Sequence, residues 1–348
     1  MVNRDLNVGT VKYPDSFSPY KSYPQRDMCA YPTIQKRWKF SAKNLKELNA
    51  ALTKELDEFQ QAEKFCIITA GSYGRMEANE GSDLDFMIFG QEAIDEETAI
   101  QIIKKVQECA TKMSIPLPKT DGVFSKVTLY NELSEQAGSD KDTLESVAQR
   151  MLMIMEARPL YNETVFFNAQ DLILRKYLAF LAQNSSKEAV YLLNDAMRYF
   201  RSICVNYQFN FWRQEDKWGL RNIKLRHSRV IMYAGLLFTL LNASTKQYKE
   251  SYIRDMMPLT PLERIVSVYQ DASDTAYKRI LEVYDLFLMK VQNNDVKKDL
   301  QVDYEDRYSS DSYREMKVTS TALSAELTRF IFSQRGRWSE SVFEYLFF

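Results

Sequence analysis

Apolar residues recur at helical or strand spacing along most of the chain, and the two patterns alternate up to about residue 138. Ser41 is the predicted N-cap of a first helix. The apolar face of that helix has residues three or four apart, namely Leu45, Leu48, Leu52, Leu56 and Phe59. Residues 1–40 carry prolines at positions 14, 19, 24 and 32. Because proline disfavours helix, we predict an extended N-terminal arm there.

Strand patterns follow this helix. Phe65–Ala70 is a short apolar, partly β-branched run that predicts a buried strand. Asp83–Phe89 is predicted as a second strand, with Leu84, Phe86 and Ile88 on its apolar face. A helix is predicted from about Glu92 to Met113, and a third strand at Val123–Thr128. The sequence therefore predicts a small mixed sheet with flanking helices over residues 41–138.

Beyond residue 139 the pattern is helical almost throughout. Segments with helical spacing occupy residues 143–157, 164–184, 187–207, 218–243, 262–292 and 320–346. The predicted fold class is therefore α+β. It comprises an arm over residues 1–40, a small mixed-sheet domain over 41–138 and an all-α domain over 139–348 that closes one side of a cleft.

Composition and charge exclude several classes of protein. The chain has 348 residues, and its 46 basic and 47 acidic side chains argue against coating nucleic acid by bulk charge. Four separated cysteines and a single histidine, His227, do not suggest a disulfide framework, a zinc site or a histidine-based triad. The longest apolar run, at residues 230–241, is too short to span a membrane, and no signal peptide is evident. We expect a cytoplasmic protein with no membrane partner.

The residues most informative about chemistry lie at the start of the second predicted strand and in the turn before it. Asp83 and Asp85 are two residues apart on a strand, so both side chains leave the same face. Two carboxylates in one place repel each other, and an oxygen-liganded divalent cation relieves that repulsion. The pair therefore predicts a site for Mg²⁺.

A Gly-Ser turn precedes the two aspartates. Gly71 allows the backbone to approach a ligand closely, and Ser72 with the amides that follow offers hydrogen-bond donors to an anion. The turn is not a Walker loop, because no Gly-Lys-Ser/Thr follows, and the protein-kinase motifs are missing. It is predicted to hold a triphosphate that the metal neutralises.

Together, Gly-Ser-x-Gly-Arg-x-Glu at residues 71–77 and Ser-Asp-x-Asp at 82–85 resemble the DNA-polymerase-β-like nucleotidyltransferase superfamily. The fuller motif resembles the branch of uridylyl- and adenylyltransferases of bacterial nitrogen control and related uncharacterised bacterial nucleotidyltransferases. The resemblance implies that Ser72 contacts the nucleotide phosphates and that Asp83 and Asp85 bind metal. It also implies a third carboxylate that completes a site for two Mg²⁺ ions. Asp121 is our first candidate for that carboxylate and Glu132 the second.

The implied reaction transfers a nucleoside monophosphate, expected to be AMP from ATP, to a hydroxyl acceptor with release of pyrophosphate. The likeness to nitrogen-control enzymes favours a protein acceptor. An RNA 3′ end and a small molecule remain alternatives, as does a catalytically inactive nucleotide-binding regulatory or interaction protein. The sequence predicts no oligomeric state.

Charged residues at three-residue spacing on two predicted helices are further candidates for binding nucleotide or acceptor. They are Asp195, Arg198 and Arg201 on one helix and Arg221 and Lys224 on the next, within the basic segment 213–229. We predict that both rows face the cleft, with interhelical salt bridges as the alternative. Arg75 is another candidate nucleotide contact, for which an ion pair with Glu77 that braces the turn is the alternative.

Overall fold

A computed structural model describes residues 21, 23–59, 62–118, 127–183, 187–212 and 217–347. A four-stranded mixed sheet lies in the N-terminal half and is followed by many helices. The predicted α+β class is therefore confirmed. None of the helices in the described ranges combines the length and the apolarity that crossing a membrane requires.

The strands and helices alternate irregularly at first. The strands are β1 (Phe65–Thr69), β2 (Phe86–Gly90), β3 (Val127–Leu129) and β4 (Arg158–Tyr161). The helices before β4 are α1 (Pro32–Leu56), the single turn α2 (Gly71–Gly74), α3 (Glu96–Lys112), α4 (Tyr130–Glu135) and α5 (Leu144–Met155). After β4 come α6 (Glu163–Gln183), α7 (Val190–Trp212), α8 (Trp218–Lys224), α9 (Val230–Ala243), α10 (Lys249–Met256), α11 (Pro261–Asp271), α12 (Tyr277–Lys290), α13 (Asn294–Asp299), α14 (Asp311–Ser333) and α15 (Glu340–Phe347).

The strand order is β3-β2-β1-β4, with β1 antiparallel to β2 and β4, and with β2 parallel to β3. Thr69, the last residue of β1, pairs with Phe86 on one side and with Arg158 on the other. The residues just before β2 and just before β4 therefore lie on either side of the turn that follows β1. This register positions the candidate site.

Every residue of β1 and β2 is buried, so both faces of these central strands are covered. Helices α1 and α6 both pack against the sheet. A strand that is buried on both faces has a continuous apolar sequence rather than an alternating one. That is the pattern of Phe65–Thr69 and Phe86–Gly90.

Helix α1 begins at Pro32, well before the predicted N-cap Ser41. Proline is well tolerated at the first helical position, where its missing N–H has no intrahelical partner to lose. Ser41 is buried within the helix, and its hydroxyl accepts a hydrogen bond from the Ala78 N–H at 3.0 Å. The prediction of an extended arm is thus wrong for residues 32–40, and residues 1–20 lie outside the described part of the chain.

Other predicted bounds also differ from the structure. β2 begins at Phe86, so Asp83 and Asp85 precede the strand instead of belonging to it. β3 is described only from Val127, and residues 119–126 lie outside the described ranges. The predicted helix over 262–292 is two helices, α11 and α12, and the one predicted over 320–346 is also two, α14 and α15.

A fourth strand, β4, was not predicted. It lies beyond residue 138 and pairs with β1. A domain boundary at residue 138 would therefore separate β4 from its own sheet.

Residues 225–229 form a turn of π-helix between α8 and α9, where the sequence predicted one uninterrupted helix. His227 lies in this π-turn, and its Nδ1 is 2.9 Å from the Ile223 carbonyl oxygen. Its ring stacks on Phe287 with a centroid distance of 4.4 Å. Burial lowers the pKa of His227 to about 4, so the ring is neutral at pH 7 and packs as part of the core.

Candidate active site

The turn after β1 is held tightly against the start of β2. The Ala70 N–H and the Thr69 hydroxyl both donate to the backbone oxygen of Asp85, at 3.0 and 2.8 Å. Gly71 follows with φ +65°, and a β-carbon placed on it would lie 2.3 Å from Oδ2 of Asp85. Glycine favours this backbone conformation, and a β-carbon would take the space that the Asp85 carboxylate occupies.

This turn forms one wall of a cavity of about 140 Å³, which we call the Asp85 cavity. From the turn and the segment before β2 it is lined by Ser72, Asp83 and Asp85, and from the helical part by Lys224, Arg229 and Lys297. The Gly-Ser turn, both predicted metal ligands and one of the five predicted helical contacts, Lys224, thus meet in one place.

The two aspartates differ in environment. Asp83 is exposed and Asp85 is half-buried. Desolvation, followed by the nearby negative charge of Asp83, raises the pKa of Asp85 to about 6. Neither carboxylate has an ion-pair partner within the described part of the chain. Clustered carboxylate oxygens without an ion-pair partner fit a hard divalent cation such as Mg²⁺.

A third acidic ligand does not accompany this pair among the described residues. Asp121, the first candidate for that position, lies outside them. Glu132, the second candidate, is on α4 and lines a different cavity, together with Thr128 and Gln149.

Three basic side chains from the helical part of the chain line the cavity together with the aspartates. Lys224, Arg229 and Lys297 form no ion pair with any carboxylate in the described ranges. The guanidinium Nη1 of Arg229 is buried without a hydrogen-bond partner among these residues. Desolvation and the positive charge of Arg229 lower the pKa of Lys224. Unpaired cations gathered around a cavity are suited to an anionic ligand, and phosphate oxygens would supply the acceptors that Arg229 lacks.

The π-turn contributes to this arrangement. It lies between α8, which ends at Lys224, and α9, which begins after Arg229. Because a π-turn is wider than an α-helical turn, it shifts the helical register of α9 relative to α8. π-Turns of this kind are often found at functional sites. Arg229 belongs to the basic segment 213–229, but the three-residue spacing that singled out Arg221 and Lys224 did not single out Arg229 as a residue of the site.

Arg75 also lines the Asp85 cavity, but its guanidinium is paired with carboxylates. Its Nε donates to Glu77 at 2.9 Å and its Nη1 donates to Glu156 at 2.5 Å. The other oxygen of Glu77 accepts from the Tyr284 hydroxyl at 2.5 Å. These contacts support the alternative in which Arg75 and Glu77 brace the turn. Glu156 was not predicted as part of the site, because it lies at the end of α5 with no motif around it.

The row on α7 does not reach the Asp85 cavity, so the prediction that both rows share its cleft is wrong. Arg198 and Arg201 line a separate groove of about 700 Å³, which we call the α7 groove. Asp195 accepts hydrogen bonds from Arg150 at 3.1 Å and from the Tyr177 hydroxyl. These contacts agree with the alternative prediction, in which the charged row pairs with neighbouring helices. Arg221 is half-buried on α8 and is not among the residues that line the Asp85 cavity.

Part of the chain that forms this site is similar to a known family of domains. Residues 51–123 match the family model of the nucleotidyltransferase domain. The matched range contains β1, the Gly-Ser turn, both aspartates, β2 and α3. No curated protein matches the chain. The domain supports nucleotidyl transfer as the general activity of this segment, with a nucleotide as substrate.

Proposed function

We propose that the chain is a metal-dependent nucleotidyltransferase that moves a nucleoside monophosphate from a nucleoside triphosphate to a hydroxyl acceptor. The observation that carries the proposal is the content of the Asp85 cavity: two aspartates, a Gly-Ser turn and three unpaired basic side chains, next to a segment that matches a nucleotidyltransferase domain. We propose ATP as the donor and a protein side chain as the acceptor.

Each group in the cavity has a role in this proposal. Asp83 and Asp85 would hold Mg²⁺, with a third carboxylate such as Asp121 completing a site for two ions. When bound, Mg²⁺ supplies positive charge next to the phosphates and lowers the pKa of a hydroxyl beside it. Ser72 would contact the phosphates on the same side of the cavity.

Arg229, Lys224 and Lys297 would hold the triphosphate from the opposite side. Arginine suits this role because its planar guanidinium can donate two parallel hydrogen bonds to phosphate oxygens. The unpaired Nη1 of Arg229 supports its assignment to this role. A lysine beside it contributes a compact positive charge whose direction is less constrained.

The transfer step itself is a displacement at phosphorus. The acceptor oxygen forms a bond to the α-phosphorus while the bond from that phosphorus to the bridging oxygen of the leaving pyrophosphate breaks. The hydroxyl proton leaves to a nearby base, a role that an additional carboxylate could fill. The positive charge of Arg229, Lys224 and Lys297 would offset the charge that accumulates on the leaving pyrophosphate.

A transfer assay tests this function and identifies both substrates. The purified protein is incubated with Mg²⁺, a cell lysate and each of the four ribonucleoside triphosphates labelled at the α-phosphate, and protein, RNA and small-molecule fractions are then separated. Label from ATP in protein supports the proposal as stated. Label in RNA or small molecules keeps the transferase and changes its acceptor. Triphosphate binding without transfer of label would favour the nucleotide-binding regulatory protein.

A further inference from the structure

The segment that leads into β4 packs against the Gly-Ser turn and holds it through hydrogen bonds. Glu156, at the end of α5, is 85 residues from Gly71 in sequence, and its Oε1 accepts the Gly71 N–H at 2.9 Å. Its Oε2 accepts from Nη1 of Arg75 at 2.5 Å. Its side chain is only 1 % exposed and does not line the Asp85 cavity. Both carboxylate oxygens are therefore committed to the turn and its brace.

The backbone of the same segment also contacts the turn. A β-carbon on Gly74 would lie 2.3 Å from the carbonyl oxygen of Glu156, so the two backbones touch. Two residues further on, Nε of Arg158 donates to the Gly74 carbonyl at 3.1 Å. The turn is thus held at its first and last residues by one short stretch of chain.

The position of Glu156 is itself fixed by hydrogen bonds from Arg264 to the residues that precede it. Arg264, which is fully buried, donates to the carbonyls of Ile154 and Met155 at 3.0 and 3.2 Å. It also donates to the carbonyls of Met256 and Met257 at 3.0 and 2.8 Å. Arg264 therefore joins the C-terminal ends of α5 and α10, where unpaired carbonyls concentrate negative charge. The last turn of α5 is held in one place, directly before Glu156.

We propose that Glu156 is a positioning residue for nucleotidyl transfer, which aligns Ser72 with Asp85 by holding Gly71 and Arg75 in place. The inference rests on the proposed function, since it assigns the work of the site to Ser72 and Asp85. Glu156 is also an electrostatic neighbour of Arg229, so it adds negative charge behind the cation that faces the cavity. It acts from behind the turn and does not touch the nucleotide.

Two substitutions separate the parts of this role. Glu156→Gln keeps the shape of the side chain and removes its charge. Its one amide oxygen can accept from the Gly71 N–H, and the amide NH₂ then faces Arg75; in the opposite orientation an uncharged oxygen faces Arg75. Glu156→Ala removes both contacts. Asp171→Asn is the matched control, because Asp171 is also a buried carboxylate and pairs with Arg175 at 2.6 Å, but it does not line the Asp85 cavity.

The experiment measures transfer kinetics, melting temperature and amide hydrogen exchange of the segment 65–77 in these full-length variants. We expect kcat to fall about tenfold in Glu156→Gln and roughly a hundredfold in Glu156→Ala, with the KM for the triphosphate changed by less than about threefold. Exchange should be faster in segment 65–77 in both variants. Asp171→Asn should keep wild-type kcat and wild-type exchange in that segment even if it melts at a lower temperature.

Two results would overturn the inference. One is wild-type kcat in both Glu156 variants. The other is a combination of two findings. Exchange in segment 65–77 is unchanged in the Glu156 variants, and Asp171→Asn loses as much kcat as they do for an equal drop in melting temperature. If the wild-type protein transfers no nucleotide, the proposed function fails, but the exchange measurement still decides whether Glu156 holds the turn.

Discussion

Gly71 and Asp85 are in such close contact that a β-carbon at position 71 would displace the Asp85 carboxylate. With φ at +65° and only 2.3 Å between the place of a β-carbon and Oδ2 of Asp85, even alanine would strain the turn and displace the carboxylate. The Gly-Ser turn and the aspartates are therefore one structural unit, and a change in one moves the other.

The first prediction follows from this contact. Gly71→Ala should cost about 1–3 kcal/mol of stability and abolish transfer, because it forces Asp85 out of position. Gly138→Ala is the matched control, since Gly138 also has a positive φ, +75°, but has nothing within 4 Å of a β-carbon. The control should lose about 1 kcal/mol and keep its activity. Urea unfolding and the transfer assay measure both, and a fully active Gly71→Ala would contradict the prediction.

The second prediction concerns the pH dependence of stability through Asp85. Its folded-state pKa is raised to about 6, so between pH 4 and 6 the folded protein binds more protons than the unfolded chain. The contribution of Asp85 to stability therefore falls as the pH rises through this window, and its full penalty is present above pH 6. Asp85→Asn removes that penalty.

Thermal melting in metal-free buffer tests this directly. Asp85→Asn should melt above the wild-type protein at pH 8, and the difference should vanish near pH 4, where the wild-type carboxyl is already protonated. A difference in melting temperature that is equal at both pH values would mean that Asp85 is not the group responsible. The same variant should be inactive, so a gain in stability would accompany the loss of function.

The third prediction concerns the unpaired guanidinium nitrogen. Arg229→Met should weaken ATP binding about tenfold to a hundredfold, because a charge-assisted hydrogen bond to phosphate contributes roughly 1.5–3 kcal/mol. Loss of Nη1 breaks no hydrogen bond among the described residues, so the loss of affinity should exceed the loss of stability. Calorimetry with ATP and Mg²⁺ measures the affinity.

Arg221→Met serves as the control for Arg229→Met, since Arg221 lies on the neighbouring helix away from the cavity lining. Its ATP affinity should match the wild type. Equal affinity in both variants would remove Arg229 from the nucleotide site.

The fourth prediction separates the Asp85 cavity from the α7 groove. Lys224→Glu should raise the KM for the triphosphate at least tenfold, because it places a negative charge beside the phosphates. Arg201→Glu, in the α7 groove, should leave that KM unchanged. A rise of similar size in both variants would mean that the groove and the cavity share one ligand.

Local patterns predicted much of this fold. The apolar runs of β1 and β2 and the helical periods of α3, α5 and α6 mark these elements to within a few residues, because burial imposes a spacing on each. The close pair of Asp83 and Asp85 beside a Gly-Ser turn was also visible, because the groups are near in sequence.

Long-range features could not be predicted in the same way. β4 is only four residues long, contains Pro159 and begins with the charged Arg158, so it lacks the pattern of a strand. Missing β4 meant missing Glu156, which reaches the turn only because β4 pairs with β1. The α7 row failed for a related reason: periodicity shows that Arg198 and Arg201 share a helix face but not which cavity that face lines.

Asp83 and Asp85 are the proposed metal ligands for nucleotidyl transfer. This role is tested most directly by the rate at which label from the α-phosphate of ATP enters the acceptor in Asp83→Asn and Asp85→Asn. We predict that each variant loses transfer by at least a hundredfold while remaining folded, since both side chains contribute charge to the cavity rather than packing. Transfer at the wild-type rate by either variant would contradict the account.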